Sequence, residues 1–228
     1  MRVVIFSDIH GNVVALEAVL AAIRREATPD ALIVAGDLVA DGPRPAETLA
    51  LLRDLPDARF VIGNTDQDVV YEQDDDSAFA RSQLSADDLH WLENLPFNQR
   101  IAAAPGHELL VVHANPRNLR DSIKPDHSPV IIRPLFEGVT QEIVAFGHYH
   151  VPFVREIDGR TLVNVASAGL PRDGVLRAVY VTLTFDGRTW QVAHHRIAFD
   201  VQAVARDYHA VGYPDAEHKA ERLLRARY

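Results

Sequence analysis

Runs of consecutive apolar residues alternate with amphipathic segments over the first part of the chain. The runs Val3–Phe6, Ala31–Ala35 and Arg59–Ile62 have the β-rich composition of strands that are buried in a sheet. Apolar residues at helical spacing predict one helix that begins near Asn12 and a second over Glu47–Leu55. The order β-α-β-α-β predicts parallel strands that are joined by right-handed crossovers.

The middle of the chain is helical at first and then returns to strands. Residues 65–96 have a polar, helical pattern, and a capping box formed by Ser85 and Asp88 predicts the start of its last helix. The strands predicted next are Gln99–Ala102, Glu108–His113 and Glu142–Phe146. Residues 114–128 are rich in Pro, Asn, Arg and Asp, which predicts a long loop, and a short helix is predicted around Val130–Phe136.

Hairpin signals dominate the chain beyond residue 150. The dipeptides Asp158-Gly159 and Asp186-Gly187 each lie between two β-rich runs, as in a tight turn between antiparallel strands. Residues 199–228 return to a helical pattern, and we expect them to pack on a single domain that spans residues 1–228. Crossovers followed by hairpins predict an α/β fold with two mixed sheets and outer helices.

The composition excludes several classes of protein. The 228 residues are 47% apolar, which is enough for a substantial core. The chain has 23 Lys and Arg against 32 Asp and Glu, and the resulting charge of −9 makes nucleic acid an unfavourable partner. Because there is no cysteine, disulfides, thiol catalysis and Cys-based zinc sites are excluded. Neither a membrane span nor a signal peptide is evident, so we expect a cytoplasmic protein.

Side chains that could bind metal ions lie at or just after the ends of the predicted strands. They are Asp8, His10, Asp37, Asn64, His113, His148 and His150. Since the carboxyl ends of neighbouring strands border one crevice, we expect these side chains to converge there. Their oxygen and nitrogen donors suit Mn, Fe, Zn or Ni. They are too many for one ion with room for substrate, and they suit two ions that share a bridging carboxylate.

Glycine precedes Asp37, Asn64 and His148 in this set. Because glycine has no Cβ, the chain can turn sharply there and approach the ions closely. The pattern therefore predicts that the backbone next to these three residues is tightly packed in the centre.

These residues form five ordered motifs that resemble those of the calcineurin-like metallophosphoesterase superfamily, and in particular its small bacterial and archaeal phosphodiesterase-like branch. The motifs are Ser7-Asp8-Ile9-His10-Gly11-Asn12, Gly36-Asp37, Gly63-Asn64-Thr65-Asp66, Val112-His113 and Gly147-His148-Tyr149-His150. The resemblance implies a four-layer α/β/β/α sandwich of two mixed β-sheets flanked by helices. It covers most of residues 1–185.

The same resemblance implies how the candidate residues divide their roles. One divalent ion is assigned to Asp8, His10 and His150, the other to Asn64, His113 and His148, and Asp37 bridges the two. The implied reaction is hydrolysis of a small phosphodiester or nucleotide-like substrate, by in-line attack of a metal-bridging hydroxide. The residues expected to act in catalysis are Asp37, Asn64, Asp66 and His148. Asp66 either orients a metal-binding histidine or caps the following helix.

One position departs from the pattern of many superfamily members. Thr65 stands where they have a histidine that is expected to contact the phosphate and protonate the leaving group. Threonine cannot act as a general acid near neutral pH, and such help is worth about 10²- to 10⁴-fold in rate. We therefore hypothesise that the substrate needs little protonation of its leaving group, or that another group such as His127 donates the proton. The candidates for substrate contact are Thr65, Arg117, Arg120 and Arg172.

Two other functions are compatible with the same fold. A noncatalytic interaction module would have no need of the candidate ligands, yet none of the seven positions is substituted here. A nuclease or protein phosphatase is disfavoured by chain length, by the negative charge and by Thr65. The sequence leaves open whether the protein forms a homo-oligomer.

Overall fold

The computed structural model describes residues 1–227, so Tyr228, the last residue of the predicted helical segment, lies outside the described residues. The strands are β1 (Arg2–Phe6), β2 (Ala31–Val34), β3 (Arg59–Phe60), β4 (Asn98–Ala104), β5 (His107–Val112), β6 (Ile143–Phe146), β7 (Phe153–Ile157), β8 (Arg160–Asn164), β9 (Ala178–Phe185) and β10 (Trp190–Ile197). The helices are α1 (Val13–Ile23), α2 (Pro45–Arg53), α3 (Asn64–Tyr71), α4 (Asp75–Ser82), α5 (Ala86–Glu93), α6 (Pro129–Ile132), α7 (Val201–Ala210) and α8 (Ala216–Arg225).

Within residues 1–227 the strands form two mixed five-stranded sheets. The first has the order β10-β9-β1-β2-β3, in which β1, β2 and β3 are parallel and β9 is antiparallel to both β1 and β10. The second has the order β4-β5-β6-β8-β7, in which β5, β6 and β8 are parallel and the two edge strands are antiparallel to their neighbours. The predicted parallel unit and both predicted hairpins are confirmed.

The two sheets pack face to face because side chains alternate between the two faces of each strand. Ile5 of β1 and Val111 of β5 lie in one buried cluster between the sheets. Phe6 belongs to a second cluster with the helices that cover the first sheet. Val112 belongs to a third cluster with Phe136 on the outer face of the second sheet. This arrangement confirms the expected four layers, helix, sheet, sheet and helix.

The strand predicted over Arg59–Ile62 is shorter than expected. Only Arg59–Phe60 pairs in register with β2 as β3, although the N–H group of Val61 still donates to the carbonyl of Val34. The next N–H group, that of Ile62, donates to the carbonyl of Pro96 instead. The backbone therefore leaves the sheet toward the loop after α5 before it reaches Asn64.

The remaining local predictions agree with the structure. The helical pattern predicted over residues 65–96 corresponds to α3, α4 and α5, and Ser85 and Asp88 form the predicted capping box at the start of α5. Residues 114–128 form a loop, and the short helix predicted after it is α6 followed by a 3₁₀ turn, Arg133–Phe136. The C-terminal segment contains α7 and α8. No helix in residues 1–227 is both long enough and apolar enough to span a membrane.

Candidate metal centre

The candidate ligands lie after β1, β2, β3, β5 and β6, at one edge of the sheet pair; Asn64 is the first residue of α3 and the others are in loops. The carboxylate and histidine donor atoms form two groups, and within each group these atoms lie within 4.8 Å of one another. The first group consists of Asp8, His10, Asp37 and His150, and the second consists of Asp37, His113 and His148. Asp37 belongs to both groups, as a carboxylate shared by two ions would.

The first group is buried. Nε2 of His150 lies 3.0 Å from Oδ1 of Asp8. Nε2 of His10 lies 3.7 Å from Oδ2 of Asp37 and 3.2 Å from Nε2 of His150. Two imidazole nitrogens and two carboxylates therefore surround one small volume.

The second group is partly open to solvent. Nε2 of His113, which is buried, lies 3.4 Å from Oδ2 of Asp37 and 3.2 Å from Nδ1 of His148. Oδ1 of Asn64 lies 3.0 Å from the same nitrogen of His113, so the amide predicted from the sequence is also at this position. Asn64 and His148 are half-buried and form the accessible side of the centre.

Backbone carbonyls fix the tautomers of the two histidines in the first group. Nδ1 of His10 donates to the carbonyl of Ala40 at 3.0 Å, and Nδ1 of His150 donates to the carbonyl of Leu170 at 2.6 Å. A carbonyl oxygen only accepts hydrogen bonds, so Nδ1 carries the proton in both rings. In the neutral ring, Nε2 is then left with a lone pair that points into the group.

The second group has the same kind of support. Nδ1 of His113 donates to the carbonyl of Ala35 at 2.9 Å, which leaves Nε2 for the centre. Nε2 of His148 donates to the carbonyl of Arg120 at 2.9 Å, which leaves Nδ1 for the centre. His148 thus uses the opposite nitrogen, and it does so because the loop that carries Arg120 passes on its far side.

In each pair, the two histidine nitrogens that do not bind a backbone carbonyl face each other at 3.2 Å. If both rings were neutral, neither nitrogen could donate to the other, so the contact requires either a proton or a cation between them. The nearby carboxylates add negative charge to the same two volumes. The donor set therefore fits two divalent cations, in the histidine and carboxylate chemistry that such ions prefer.

The charges of the centre reinforce one another. Burial alone would raise the pKa of the Asp37 carboxyl, but the neighbouring His113 and His10 hold that pKa far below its usual range. Burial likewise opposes protonation of His113, yet the charges of Asp37 and Asp8 outweigh it and raise the pKa of His113 to about 10. Burial lowers the pKa of His10 and also that of His148. Without metal, His113 holds a proton that a cation would displace.

Many of the candidate ligands have a left-handed backbone, which is uncommon for residues other than glycine. The φ angles are 56° for Asp8, 51° for His10, 54° for Asp37, 64° for His148 and 57° for His150. Such conformations cost energy and concentrate at functional sites, where the surrounding structure holds them.

Three glycines allow the loops to approach each other closely, as predicted. A Cβ atom at Gly63 would overlap the Asp37 carboxylate, and one at Gly147 would overlap the Asp8 carboxylate. At Gly36 a Cβ atom would lie 2.8 Å from Nδ1 of His113, which is also too close. The motif glycines therefore leave space for the carboxylates themselves.

Asp66 joins two of the loops that carry ligands. Its carboxylate accepts hydrogen bonds from the N–H groups of Asp37 at 2.9 Å, Leu38 at 2.7 Å and Gly63 at 2.9 Å. Of the two roles considered for Asp66, the structure therefore shows the helix cap, and the same carboxylate also holds the loop after β2. Burial, followed by the charge of Asp37, raises the pKa of Asp66 to about 7.

Two further side chains hold ligand loops, and the sequence motifs did not assign them. Nδ2 of Asn164 donates to the carbonyl of Gly147 at 2.7 Å, directly before His148. Oγ of Ser167 donates to the carbonyl of Asp8 at 2.7 Å. Asn164 is the last residue of β8 and Ser167 lies in the loop after it, so neither belongs to the five ordered motifs.

The structure brings two of the four candidates for substrate contact to the centre. The N–H group of Thr65 donates to Oδ1 of Asp37 at 2.9 Å, and the buried Oγ1 of Thr65 has no hydrogen-bond partner within residues 1–227. Arg120 reaches the centre through its carbonyl group, which accepts from His148, whereas its guanidinium pairs with Asp68 on α3.

The other basic and imidazole candidates make contacts elsewhere. Nη2 of Arg117 donates to the carbonyl of Glu137 at 2.7 Å. Arg172 is buried, and its Nη1 donates to the carbonyl of Arg227 at 3.1 Å. His127 lies in the loop 114–128, where its carbonyl accepts from Arg155.

Comparison with known proteins gives a consistent assignment. The family model for the calcineurin-like phosphoesterase superfamily domain matches residues 1–188. A crystal structure of a metallophosphoesterase from Sphaerobacter thermophilus is 29% identical, with a TM-score of 0.82 and coverage of 99% of both chains. An uncharacterised protein of Methanocaldococcus jannaschii is 26% identical over an alignment that covers 88% of this chain and 88% of that protein.

A more local similarity extends to an enzyme with a named substrate. The symmetrical bis(5'-nucleosyl)-tetraphosphatase of Psychromonas ingrahamii is 32% identical over 124 residues, which are 50% of this chain and 44% of that enzyme. Because the family model covers most of the sequence, the family is established by the match itself. The chain belongs to the calcineurin-like phosphoesterase superfamily.

Proposed function

We propose that this protein is a dinuclear metal-dependent phosphoesterase. The first cation is held by Asp8, His10 and His150, and the second by Asn64, His113 and His148, with Asp37 shared between them. The observation that carries the proposal is the pair of facing histidine nitrogens in each group, at 3.2 Å, beside one common carboxylate.

When bound, the two cations supply Lewis-acid stabilisation of the phosphoryl group and activation of a water nucleophile. The chain supplies the fixed frame for that chemistry. Backbone carbonyls orient all four histidines, and Asp66 holds the loops of Asp37 and Asn64 at a constant separation. Because these groups are already oriented, little reorganisation is needed when the substrate binds.

The charge of the centre explains how an acidic protein attracts a phosphoester. Two divalent cations against the carboxylates of Asp8 and Asp37 leave a net charge of about +2 in a partly buried cleft, where each unit-charge attraction at contact is worth several kcal/mol. This local field is strong enough to attract an anionic substrate although the whole chain has a charge of −9.

Thr65 favours a particular kind of leaving group. A phosphate released from a phosphoanhydride is a weaker base than an alkoxide, so it departs without a general acid. Thr65 in the place of the family's histidine is therefore compatible with a nucleotide-like substrate that contains such a bond. The similarity of half of this chain to a bis(5'-nucleosyl)-tetraphosphatase supports the same substrate class.

Hydrolysis assays on metal-depleted protein test the proposal. We expect activity on bis(p-nitrophenyl) phosphate and on dinucleoside polyphosphates to return when Mn²⁺ is added, with two ions bound per chain. Asp8→Asn should lose this activity, whereas Asp87→Asn, which changes an exposed carboxylate that pairs with Arg53, should keep it. Inactivity with Mn²⁺, Fe²⁺, Zn²⁺ and Ni²⁺ on both substrates would contradict the proposal and favour the noncatalytic module.

A further inference from the structure

The C-terminal helices lie against the loops that support the first ligand group. Leu170, whose carbonyl accepts from His150, is buried in one apolar cluster with Val204 and Tyr208 of α7 and Leu223 of α8. These helices lie beyond residue 188, where the match to the family model ends. The support of the first group therefore includes a segment that the family model does not cover.

Asp41 is held by both C-terminal helices. The hydroxyl of Tyr208 donates to the carbonyl of Asp41 at 2.6 Å, and Nζ of Lys219 donates to its carboxylate at 2.8 Å. The backbone of Asp41 has a φ of 70°, a conformation that needs such support. Asp41 directly follows Ala40, whose carbonyl accepts from Nδ1 of His10. The two helices thus fix the peptide next to the one that orients His10.

Lys219 is the charged residue of this contact, and only 12% of its side chain is exposed. It lies between the carboxylates of Asp41 and Asp76, and the hydroxyl of Tyr213 also donates to Asp76 at 2.8 Å. Removal of the ammonium group would leave two carboxylates close together and partly buried, which is strongly unfavourable. The loop of Asp41 would then move away from α8.

The loop after β8 is also tied to the end of the chain. The N–H group of Gly174 donates to the carbonyl of Ala226 at 2.8 Å, and Nη1 of Arg172 donates to the carbonyl of Arg227 at 3.1 Å. This loop begins near Leu170 and therefore carries the carbonyl that orients His150. Both histidines of the first group are thus oriented by peptides that the C-terminal segment contacts.

The second group draws its support from other parts of the fold. The carbonyl that orients His113 belongs to Ala35 at the end of β2. The carbonyl that orients His148 belongs to Arg120, whose side chain pairs with Asp68 on α3. A change at α8 should therefore reach the first group and leave the second in place.

We propose that the C-terminal helices, acting through Lys219, position the first ligand group and set the affinity of its cation separately from that of the second. Lys219 is a positioning residue, because it contacts neither ligand group and acts through Asp41. This inference rests on the proposed dinuclear function.

Calorimetric Mn²⁺ titration of the metal-depleted, full-length chain tests the inference. We expect Lys219→Met to weaken one of two Mn²⁺ sites by about tenfold, the usual size of an effect on groups behind the ligands. Lys219→Arg should restore most of that affinity. Arg225→Met is the matched control on the same helix, because Arg225 forms an exposed pair with Glu221, and it should leave both sites unchanged.

Variants that keep one site identify the ion that is affected. In a His113→Ala background, Lys219→Met should weaken the remaining Mn²⁺ site. In a His10→Ala background it should have no further effect. Equal weakening in both backgrounds, or no weakening in either, overturns the inference. Should Lys219→Met fail to fold, Tyr208→Phe removes one hydrogen bond to Asp41 and should weaken the same site to a smaller extent; a lack of that selective effect also overturns it.

The hydrolysis assay separates failure of this inference from failure of the proposed function. Suppose that the unsubstituted protein binds two Mn²⁺ ions, that Lys219→Met selectively weakens one of them, and that the unsubstituted protein hydrolyses no phosphoester. This result contradicts the function and supports the inference. An active enzyme whose Lys219→Met variant binds both ions normally contradicts the inference alone.

Discussion

The two halves of the metal centre are built from the same donor chemistry but are supported in different ways. The first group is buried, and its histidines are oriented by peptides next to the C-terminal helices. The second group is partly exposed to solvent, and His148 is oriented by a loop that is held to α3 by the ion pair of Arg120 and Asp68. Similar ligands can therefore be supported by different parts of the fold, and the second group is the one that solvent reaches.

The largest effect is expected at Asp37, the carboxylate that both groups share. Asp37→Asn should lower metal-activated phosphodiester hydrolysis by about 10³-fold, equivalent to about 4 kcal/mol of transition-state stabilisation. It should also weaken both ions, whereas His150→Ala should weaken one. Metal analysis together with initial rates would show this difference. Retention of both ions by Asp37→Asn would contradict a shared role.

A second expected effect lies on the open side of the centre, at Thr65. Thr65→His should raise hydrolysis of esters with poor, alkoxide-like leaving groups by about 10²-fold, near the lower end of general acid catalysis. Substrates with good leaving groups should change little, because their departure needs no proton. Rates for a series of phosphodiesters with different leaving groups would measure this, with Thr65→Val as the control that lacks a titratable group. An unchanged preference would count against the hypothesis.

A smaller effect is expected when the ion pair of Arg120 and Asp68, which supports the second group, is removed. Arg120→Ala should weaken one Mn²⁺ site by about tenfold, because the carbonyl of residue 120 that orients His148 would no longer be held in place by the ion pair with Asp68. Asp68→Asn should give a similar effect, and the double variant should add little to either, because the two residues act as one pair. Arg117→Ala is the control in the same loop. Additive losses would show that the two side chains act independently.

The last expected effect concerns folding rather than metal binding or rate, and it is a change of stability with pH in the metal-free protein. The pKa of His113 is about 10 in the folded chain against an ordinary value of 6.5. The folded state therefore binds this proton more tightly, and the stability it contributes is complete below pH 6.5 and is lost as the pH rises toward 10. The melting temperature should fall between pH 7 and pH 9.

Two comparisons check the origin of this pH dependence. His113→Asn should remove the fall in melting temperature over the same pH interval. Bound Mn²⁺ should reverse it, because metal binding requires the deprotonated ring and becomes tighter as the pH rises. A melting temperature that falls equally in His113→Asn would assign the effect to another group.

The sequence predicted the fold, and it identified side chains that the structure brings together, because both depend on side-chain type at positions that strand and helix patterns locate. Asp8 and Asp37 each follow a predicted strand, His113 is the last residue of another, and parallel strands bring such positions to one edge. The two-residue length of β3 was not predictable, because a hydrogen bond from Ile62 to the distant Pro96 decides where that strand ends.

The supports of the centre were not predictable for a different reason. The groups that orient the histidines are carbonyls of Ala35, Ala40, Leu170 and Arg120, and a carbonyl is present at every residue whatever its side chain. Arg120 was expected to contact substrate, but the sequence pattern did not show that its guanidinium forms an ion pair with Asp68. The role of Lys219 could not be predicted from the sequence, because its partner Asp41 is remote along the chain.

The left-handed backbone at Asp8, His10, Asp37, His148 and His150 limits which replacements a protein engineer could use to alter metal preference. Asparagine, aspartate and histidine tolerate this conformation, so exchanges among them test donor chemistry with little change of backbone energy. Valine, isoleucine or threonine at the same positions would add steric strain to the loss of a ligand. A library restricted to the tolerant residues would therefore sample new coordination sets while it keeps the loops folded.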